Sequence, residues 1–459
     1  MSSHHVPAQL PEAFLLQMQA LLGAGSADFL EALQQPAPVS IHLNPLKAGT
    51  LQNESLEQVL WYPAGRYLPE RPVFTLDPRF HAGAYYVQEA ASMLIAEVVR
   101  QVMPSGQPLR ALDLCAAPGG KSTLLASVLP AGSLLLSNEV IRNRYQTLQY
   151  NVAKWGFPGM HTSQHDSRDF KALQGWFDLV LVDAPCSGEG LFRKDPDAVK
   201  EWSPAHTVHC SARQRRILAE AAALVRPGGV LIYCTCTYND VENEDNAAWM
   251  LEQEPFQMLA LDLPAAWGLV HKGRGYQCYP HRVRGEGFYL ACFRREDKDQ
   301  PAGKPPKTPL SGPLKLASKT DLDALVPWVS PNAGVAVFQD WQGAFRAVPE
   351  AQVADCMQLG ATLRQSAFGV PLGQFKGKDF LPAPEFALST LIHPDVPRVT
   401  LEREPALHFL KKEPPVFNPV PQGWMLVAYE GLGLGWAKGI GNRVNNYYPK
   451  EWRILMQIK

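Results

Sequence analysis

A chain of 459 residues has room for two to four domains, and 46% hydrophobic with 10% aromatic residues can build sizeable cores rather than stay disordered. Lys and Arg number 43 against 44 Asp and Glu, a net charge of -1. That excludes a uniformly basic nucleic-acid binder and leaves room only for a local basic patch. Eight cysteines without framework spacing point to reduced thiols and a cytoplasmic location rather than a secreted disulfide scaffold.

No Lys or Arg precedes Lys47, so the N-terminus lacks the charged region of a secretory signal. No run of 18 apolar residues predicts a membrane span. Residues 10–35 read as an amphipathic helix. "VSIHLNPLKA" and "PVFTLDPRF" read as short strands, and "YYVQEAASMLIAEVVRQV" as one helix. The rhythm then changes. "LRALDLCAAPGG" is a buried strand entering a Gly-rich turn, followed by helix "KSTLLASVLP", strand "GSLLLSNEV" and helix "IRNRYQTLQYNVAKWG". "MHTSQHD" and "WFDLVLVDAP" are strands, "HCSARQRRILAEAAALVRPGG" a helix with a Gly stop, and "VLIYCTC" a strand. Alternation of this kind predicts a parallel, doubly wound α/β sheet. "GEGFYLACFRR" adds one more strand, expected to be antiparallel.

The Pro-, Lys- and Gly-rich stretch 296–313 reads as a linker. It separates a catalytic domain over 101–295, preceded by an extension over 1–100, from an intermediate domain over 314–400 that carries no usable motif. Residues 401–459, with glycines between short apolar runs, predict a small β-barrel-like unit. Its final stretch carries Lys438, Arg443, Lys450, Arg453 and Lys459 against Glu451. Tyr447, Tyr448, Trp436 and Trp452 add rings that could stack on bases.

"DLCAAPGGKST" ends like a phosphate-binding P-loop, but that motif requires a glycine where Cys115 stands. The alternative is an adenosyl cofactor turn, in which Gly119 and Gly120 let backbone approach the ligand. Glu139, ending the next strand, is placed to accept from ribose hydroxyls. Asp166, after the strand beyond, is placed for an adenine amino group. Acids after successive strands suit S-adenosylmethionine, although each alone could simply cap a helix.

Four uses compete for the cysteines. Zinc and redox pairs prefer two residues between cysteines, whereas Cys234 and Cys236 have one and Cys186 stands alone. No metal is expected. Cys234, Cys210 and Cys292 read as small core hydrophobes. Cys186 and Cys236 both follow strands at the carboxyl edge, where open α/β sheets bind ligands, and Asp183 lies close before Cys186. A thiolate, an acid and a methyl donor together suit methylation of carbon 5 of cytosine. Addition of the thiolate to carbon 6 makes carbon 5 nucleophilic, and covalent catalysis splits the hard step.

"YYVQEAASM", "DLCAAPGGKS", "DAPCSGEG", "CTCTYN" and "PHRVRGEGFYLA", in this order, closely resemble the Nop/Sun-type RNA cytosine-5 methyltransferases, over roughly residues 40–295. "GLGWAKGIGNRVNNYYPKEWRI" looks like the C-terminal RNA-binding region of the bacterial ribosomal-RNA branch. The resemblance implies a Rossmann-like S-adenosylmethionine-dependent methyltransferase fold with an N-terminal α/β extension that touches RNA and a C-terminal PUA-like region. It implies a monomeric enzyme modifying small-subunit (16S) ribosomal RNA. By the same resemblance, Cys236 is the nucleophile, Cys186 helps release product, Asp183 holds the cytosine, and Lys121 belongs to the catalytic set. Cys115, Ala116, Ala117, Pro118, Gly119, Gly120, Lys121, Glu139, Arg144, Asp166 and Asp183 correspond to cofactor contacts. Lys438, Arg443, Tyr447 and Lys450 are the expected RNA contacts.

The alternatives are a transfer-RNA enzyme, a DNA cytosine-5 methyltransferase and a catalytically silent RNA-binding scaffold. The DNA enzymes attack from a Pro-Cys motif and carry a Glu-Asn-Val motif. Here "VENED" stands in the wrong place for that motif, and the intact Cys186, Asp183 and Cys236 argue against a silent scaffold.

Overall fold

The computed structural model describes residues 9–49, 51, 55–296, 314–340, 342–417 and 419–458. The expected linker therefore lies outside the described residues except for Glu296, and Lys459 lies outside them as well. Helices α1 (Glu12–Leu22) and α2 (Ser26–Gln34) are separated by Gly23, whose positive φ of 54° turns the chain. The stretch from Glu12 to Gln34 is long and apolar enough to span a membrane by length and composition alone. Here it folds onto the catalytic unit, burying Phe14, Met18, Phe29 and Leu33 against Phe192, Trp202, Tyr238 and Tyr279.

A four-stranded antiparallel sheet follows, from β1 (Val39–Leu43), β2 (Gln58–Val59), β3 (Tyr62–Leu68) and β4 (Tyr85–Val87), in order β2-β3-β1-β4. Two sequence expectations change here. "PVFTLDPRF" is not a strand but a 3-10 turn and helix α3 (Pro78–Ala82). Asp77 accepts from the Arg79 backbone and Pro78 occupies the first turn, both helix-start chemistry. "YYVQEAASMLIAEVVRQV" is not one helix. Its first three residues pair with β1, and α4 begins only at Leu94 and runs to Val102.

The large sheet contains β5 (Arg110–Asp113), β6 (Leu134–Asn138), β7 (Met160–Ser163), β8 (Phe177–Asp183) and β9 (Val225–Thr235), arranged β9-β8-β5-β6-β7 and all parallel. Helices α5 (Gly120–Val128), α6 (Arg142–Trp155), α7 (Pro196–Glu201), α8 (Pro204–Leu224) and α9 (Glu244–Gln253) belong to its connections. Strands β10 (Phe256–Met258), β11 (Val270–His271) and β12 (Tyr276–Cys278) precede β13 (Phe288–Arg295), which lies antiparallel beside β9 as expected. The connection between β5 and β6 packs on one side of β5 and that between β8 and β9 leads away on the other, so the sheet reverses its winding between β5 and β8. Ligands of doubly wound sheets sit at the carboxyl ends of the strands flanking such a point.

Both faces of the sheet are covered. On one, α4 and the Trp61–Tyr62 region join Leu124, Leu125, Ile232 and Leu290 in a common core. On the other, Phe170, Leu218 and Tyr233 pack with Cys356, Leu359, Leu363 and Phe368 from the region 314–400. Ser366–Ala367 adds an antiparallel edge strand to β7. Arg398–Thr400 pairs in parallel with Gly423–Tyr429, so the C-terminal sheet begins just before residue 401. Leu432–Ile440 and Arg443–Asn446 complete that sheet.

Candidate active site

The first strand delivers the cofactor turn. After Asp113 the chain runs through Cys115 to Pro118, and Gly119 takes φ 112°, a left-handed conformation a side chain would strain, as it starts α5. Ser122 in the first turn of α5 donates to Asp113 Oδ2 at 2.6 Å, while the buried Oδ1 has no partner. Burial pushes the Asp113 carboxyl up to about 7, against the Ser122 hydrogen bond. The turn is tied on its outer side to α6. Arg144 Nη2 donates to the Ala117 carbonyl at 2.8 Å, and Asn151 Nδ2 to the Pro118 carbonyl at 2.7 Å. The Ala116 amide donates to the Asn138 carbonyl at 2.8 Å. A glycine start, an aligned helix N-terminus and an orphaned buried carboxylate oxygen suit a cofactor with several polar groups.

Glu139 follows β6 and is buried. Oε1 accepts from the Ile141 amide at 2.9 Å and Oε2 lies 3.5 Å from Arg144 Nη1. Asp166 lies three residues past the end of β7, not at its tip. Its carboxylate accepts from the Arg168 amide at 3.1 Å in a capping box with Asp169, so it serves as a cap. Its side chain remains 41% exposed at the same edge, enough to leave acceptor capacity for a ligand.

The thiols converge on the neighbouring strand ends. Cys186 Sγ lies 3.1 Å from Cys236 Sγ, and the Cys236 amide points at Cys186 Sγ at 3.4 Å. Both are free and half-buried. The hydrogen bond to Cys236, then burial, push the Cys186 thiol well above its usual range. Cys186 therefore keeps its proton and shares it with Cys236. Lys121 Nζ bonds Asp183 Oδ2 at 2.7 Å. Burial alone would depress Lys121, but Asp183, with Cys234 and Cys236 nearby, holds the ammonium charged. Cys234 is fully buried as expected, yet its thiol also points at Asp183 Oδ1 at 3.6 Å, so it is not a purely apolar filler.

Two carboxylates that sequence reasoning missed lock the cysteine loops together. Glu189 is fully buried. Its Oε2 accepts from Thr237 Oγ1 and the amides of Tyr238 and Asn239, at 2.6, 2.7 and 3.0 Å. Its Oε1 accepts from Gln17, Trp202 and Asn239. Glu242, in the set-aside "VENED", accepts at Oε2 from the Ser187 amide at 3.0 Å and Gln214 at 2.7 Å. The Gly190 amide donates to the Cys236 carbonyl at 2.8 Å, and a Cβ there would sit 2.7 Å from that oxygen. The signal was present: Glu189 inside "CSGEG" and Glu242 at the end of "TYNDVE", in segments rich in turn residues.

Of the expected RNA contacts, Lys438 and Arg443 lie on the C-terminal sheet, and Tyr447 and Lys450 in the segment that follows its last strand. Lys438 sits 3.6 Å from Asp379 and over the Trp424 ring, which lies 4.5 Å from the ring of half-exposed Tyr447. Arg443 and Lys450 are exposed. Trp436 and Tyr448 are core residues, not stacking surfaces: Trp436 donates to the Ala383 carbonyl and packs with Phe386. Among the described residues, no group of three or more His, Cys, Asp or Glu is placed to hold a metal ion.

Residues 103–294 match the family described as 16S rRNA methyltransferase RsmB/F. Residues 10–90 match the N-terminal domain of 16S rRNA methyltransferase RsmF, and 396–454 the methyltransferase RsmF PUA domain. A protein of Klebsiella pneumoniae named ribosomal RNA small subunit methyltransferase F is 32% identical over 470 residues, covering 96% of each chain. Its namesake in an Escherichia coli strain is 30% identical over 477 residues, covering 98% of each. A crystal structure described as a methyltransferase homolog protein from Pyrococcus horikoshii is 26% identical with a TM-score of 0.53, over 62% of this chain and 95% of that one. The crystal structure titled NSun6 from Pyrococcus horikoshii with SFG, at 20% identity and a TM-score of 0.54 over 63% and 99%, shares the fold. With catalytic, N-terminal and PUA portions all matched and relatives aligned end to end, the chain belongs to the ribosomal RNA small subunit methyltransferase F family.

Proposed function

We propose that this methyltransferase uses Cys236 as nucleophile and Cys186 as its partner to methylate carbon 5 of a cytosine in 16S ribosomal RNA, with S-adenosylmethionine as donor. The observation that carries the reading is the 3.1 Å thiol pair at the carboxyl edge, beside the Lys121–Asp183 ion pair. S-adenosylmethionine would be held by the Cys115 to Lys121 turn with Glu139, Asp166, Asp183 and Arg144, and it supplies an electrophilic methyl group. The Cys236 thiolate bonds to carbon 6 of the ring, and Asp183 faces the polar edge of the cytosine. Carbon 5, now nucleophilic, takes the methyl group as the donor leaves as its neutral thioether, and it then gives its proton to Cys186, which has passed its own proton to the departing Cys236 sulfur. Breaking the carbon–sulfur bond restores the aromatic ring.

Acting on ribosomal RNA places the enzyme in the cytoplasm, where eight unpaired thiols are stable. The test is transfer of labelled methyl groups to purified 16S ribosomal RNA or small subunits, to transfer RNA and to duplex DNA. Incorporation into the ribosomal substrate as 5-methylcytosine is expected. Equal or greater incorporation into transfer RNA would support the alternative, and incorporation only into DNA would overturn the assignment.

A further inference from the structure

Behind the cofactor turn, α6 borders a cavity of about 650 Å³ that it shares with the region 346–385 and with Glu451 and Trp452 of the C-terminal unit. The helix presents Asn143, Gln146, Thr147 and Tyr150 to it, a spacing of three and four that defines one helical face. The rings of Tyr150 and Trp452 meet at 4.9 Å between centroids. Arg346 lines the opposite wall. Its Nε donates to the Phe368 carbonyl at 2.8 Å, and among the described residues no carboxylate lies within ion-pair distance of its guanidinium. Burial depresses this guanidinium, and Glu385 and Asp340 act on it only from a distance. A partly buried guanidinium whose nearest carboxylates stand beyond ion-pair distance keeps donor capacity for an anion.

We propose that this cavity receives one unpaired nucleotide of the RNA substrate, separate from the target cytosine, with its phosphate at Arg346 and its base against the Tyr150–Trp452 rings. The volume falls in the range of small-ligand sites. Aromatic faces, an unmatched guanidinium and amide side chains are the groups that hold single-stranded RNA. Gln146 offers both donor and acceptor to a base edge. Glu385, whose carboxyl burial pushes up, can face an exocyclic amino group. Glu451 also lines the cavity and disfavours a second phosphate, limiting occupancy to one nucleotide. The opposite side of α6 carries the cofactor turn through Arg144 and Asn151, so a nucleotide seated here would register the RNA against the cofactor end of the site.

The inference rests on ribosomal RNA being the substrate. Full-length protein is photo-cross-linked to a 16S ribosomal RNA transcript and the attached nucleotides are mapped by mass spectrometry. Affinity for the same transcript is measured against salt for Arg346→Met and for Thr147→Trp, which fills the cavity from an exposed position. Adducts on peptides containing Tyr150 or Trp452 are expected. Both variants should bind roughly ten-fold more weakly, and Arg346→Met should reduce the slope of log affinity against log salt by about one. Cofactor affinity and turnover at saturating RNA should stay unchanged in both. Thr147→Trp guards against a folding defect in Arg346→Met. Unchanged RNA affinity in both variants, with wild-type methyl transfer intact, overturns the cavity assignment alone. So does absence of adducts from both peptides. Failure of the wild type to bind or methylate the transcript overturns the substrate assignment and this inference with it.

Discussion

Single side chains divide into those whose role follows from sequence position and those whose role needs the fold. Cys236 was legible because strand periodicity and the end of an apolar run place it at the carboxyl edge. Its 3.1 Å approach to Cys186 was not, because it depends on two loops fifty residues apart. Cys234 was rightly assigned to the interior, but its contact with Asp183 depends on the register that sets it opposite that residue in the parallel β8–β9 pair. Asp166 shows the limit of reading acids by strand end, since its carboxylate is already engaged in capping. Glu139 has the stronger case for the cofactor, being buried beside Arg144, which in turn holds the Ala117 carbonyl. Glu139→Ala should weaken S-adenosylmethionine by about 1.5–3 kcal/mol, the value of charge-assisted hydrogen bonds, read by titration calorimetry. Unchanged affinity would remove Glu139 from the cofactor set.

Among the elements, strands and helices with strong periodicity were legible: β5 to β8, α5, α6 and the antiparallel β13 lie where the pattern put them, whereas α8 ends at Leu224 and Val225–Gly229, read as the Gly-stopped end of that helix, already belongs to β9. The segment "PVFTLDPRF" was not, because the Asp-Pro helix start outweighs its β-prone Val, Phe and Thr. Least legible was the pair of loops after β8 and β9. Turn residues announce a loop but not its shape, which here is fixed by the buried Glu189 and Glu242. Glu242→Gln keeps the size but turns an amide donor toward the Ser187 amide, Gln214 or Asn239, all of which already donate. The resulting clash of donors should loosen the loop that carries Cys186. Turnover should fall about ten-fold, some 1.4 kcal/mol, with cofactor affinity retained, as steady-state rates at saturating cofactor would show. Unaltered turnover would mean that the loops hold their shape without Glu242.

The whole molecule is built around one sheet covered on both faces, and the region 314–400, mute in sequence, supplies part of that cover. His161 of β7 is its hinge pin. Nε2 meets Gln352 Oε1 at 2.8 Å and Nδ1 accepts from the Gly369 amide at 2.9 Å, an arrangement that requires a neutral ring. Burial lowers His161 from 6.5 to about 4. The unfolded chain therefore binds this proton first as pH falls, and stability is lost from about pH 6.5 downward until about pH 4. His161→Gln, which never charges, escapes that loss. The stability gap between wild type and variant should be about 1–2 kcal/mol smaller at pH 5 than at pH 7 by denaturant unfolding. A gap that is constant, or wider at pH 5, would show that His161 is not held neutral.

The central claim is that Cys236 bonds to the base and Cys186 is needed to release it, and denaturing electrophoresis of labelled 16S ribosomal RNA with the cysteine variants tests it most directly. Cys186→Ala, incubated with RNA and S-adenosylmethionine, should retain a covalent protein–RNA band, because attack and methylation proceed while release is slow. Cys236→Ala and the double variant should give no band and no methyl transfer, and Cys236→Ala should still bind S-adenosylmethionine. A band from Cys236→Ala that disappears when Cys186 is also removed would assign the nucleophile to Cys186 and contradict the account.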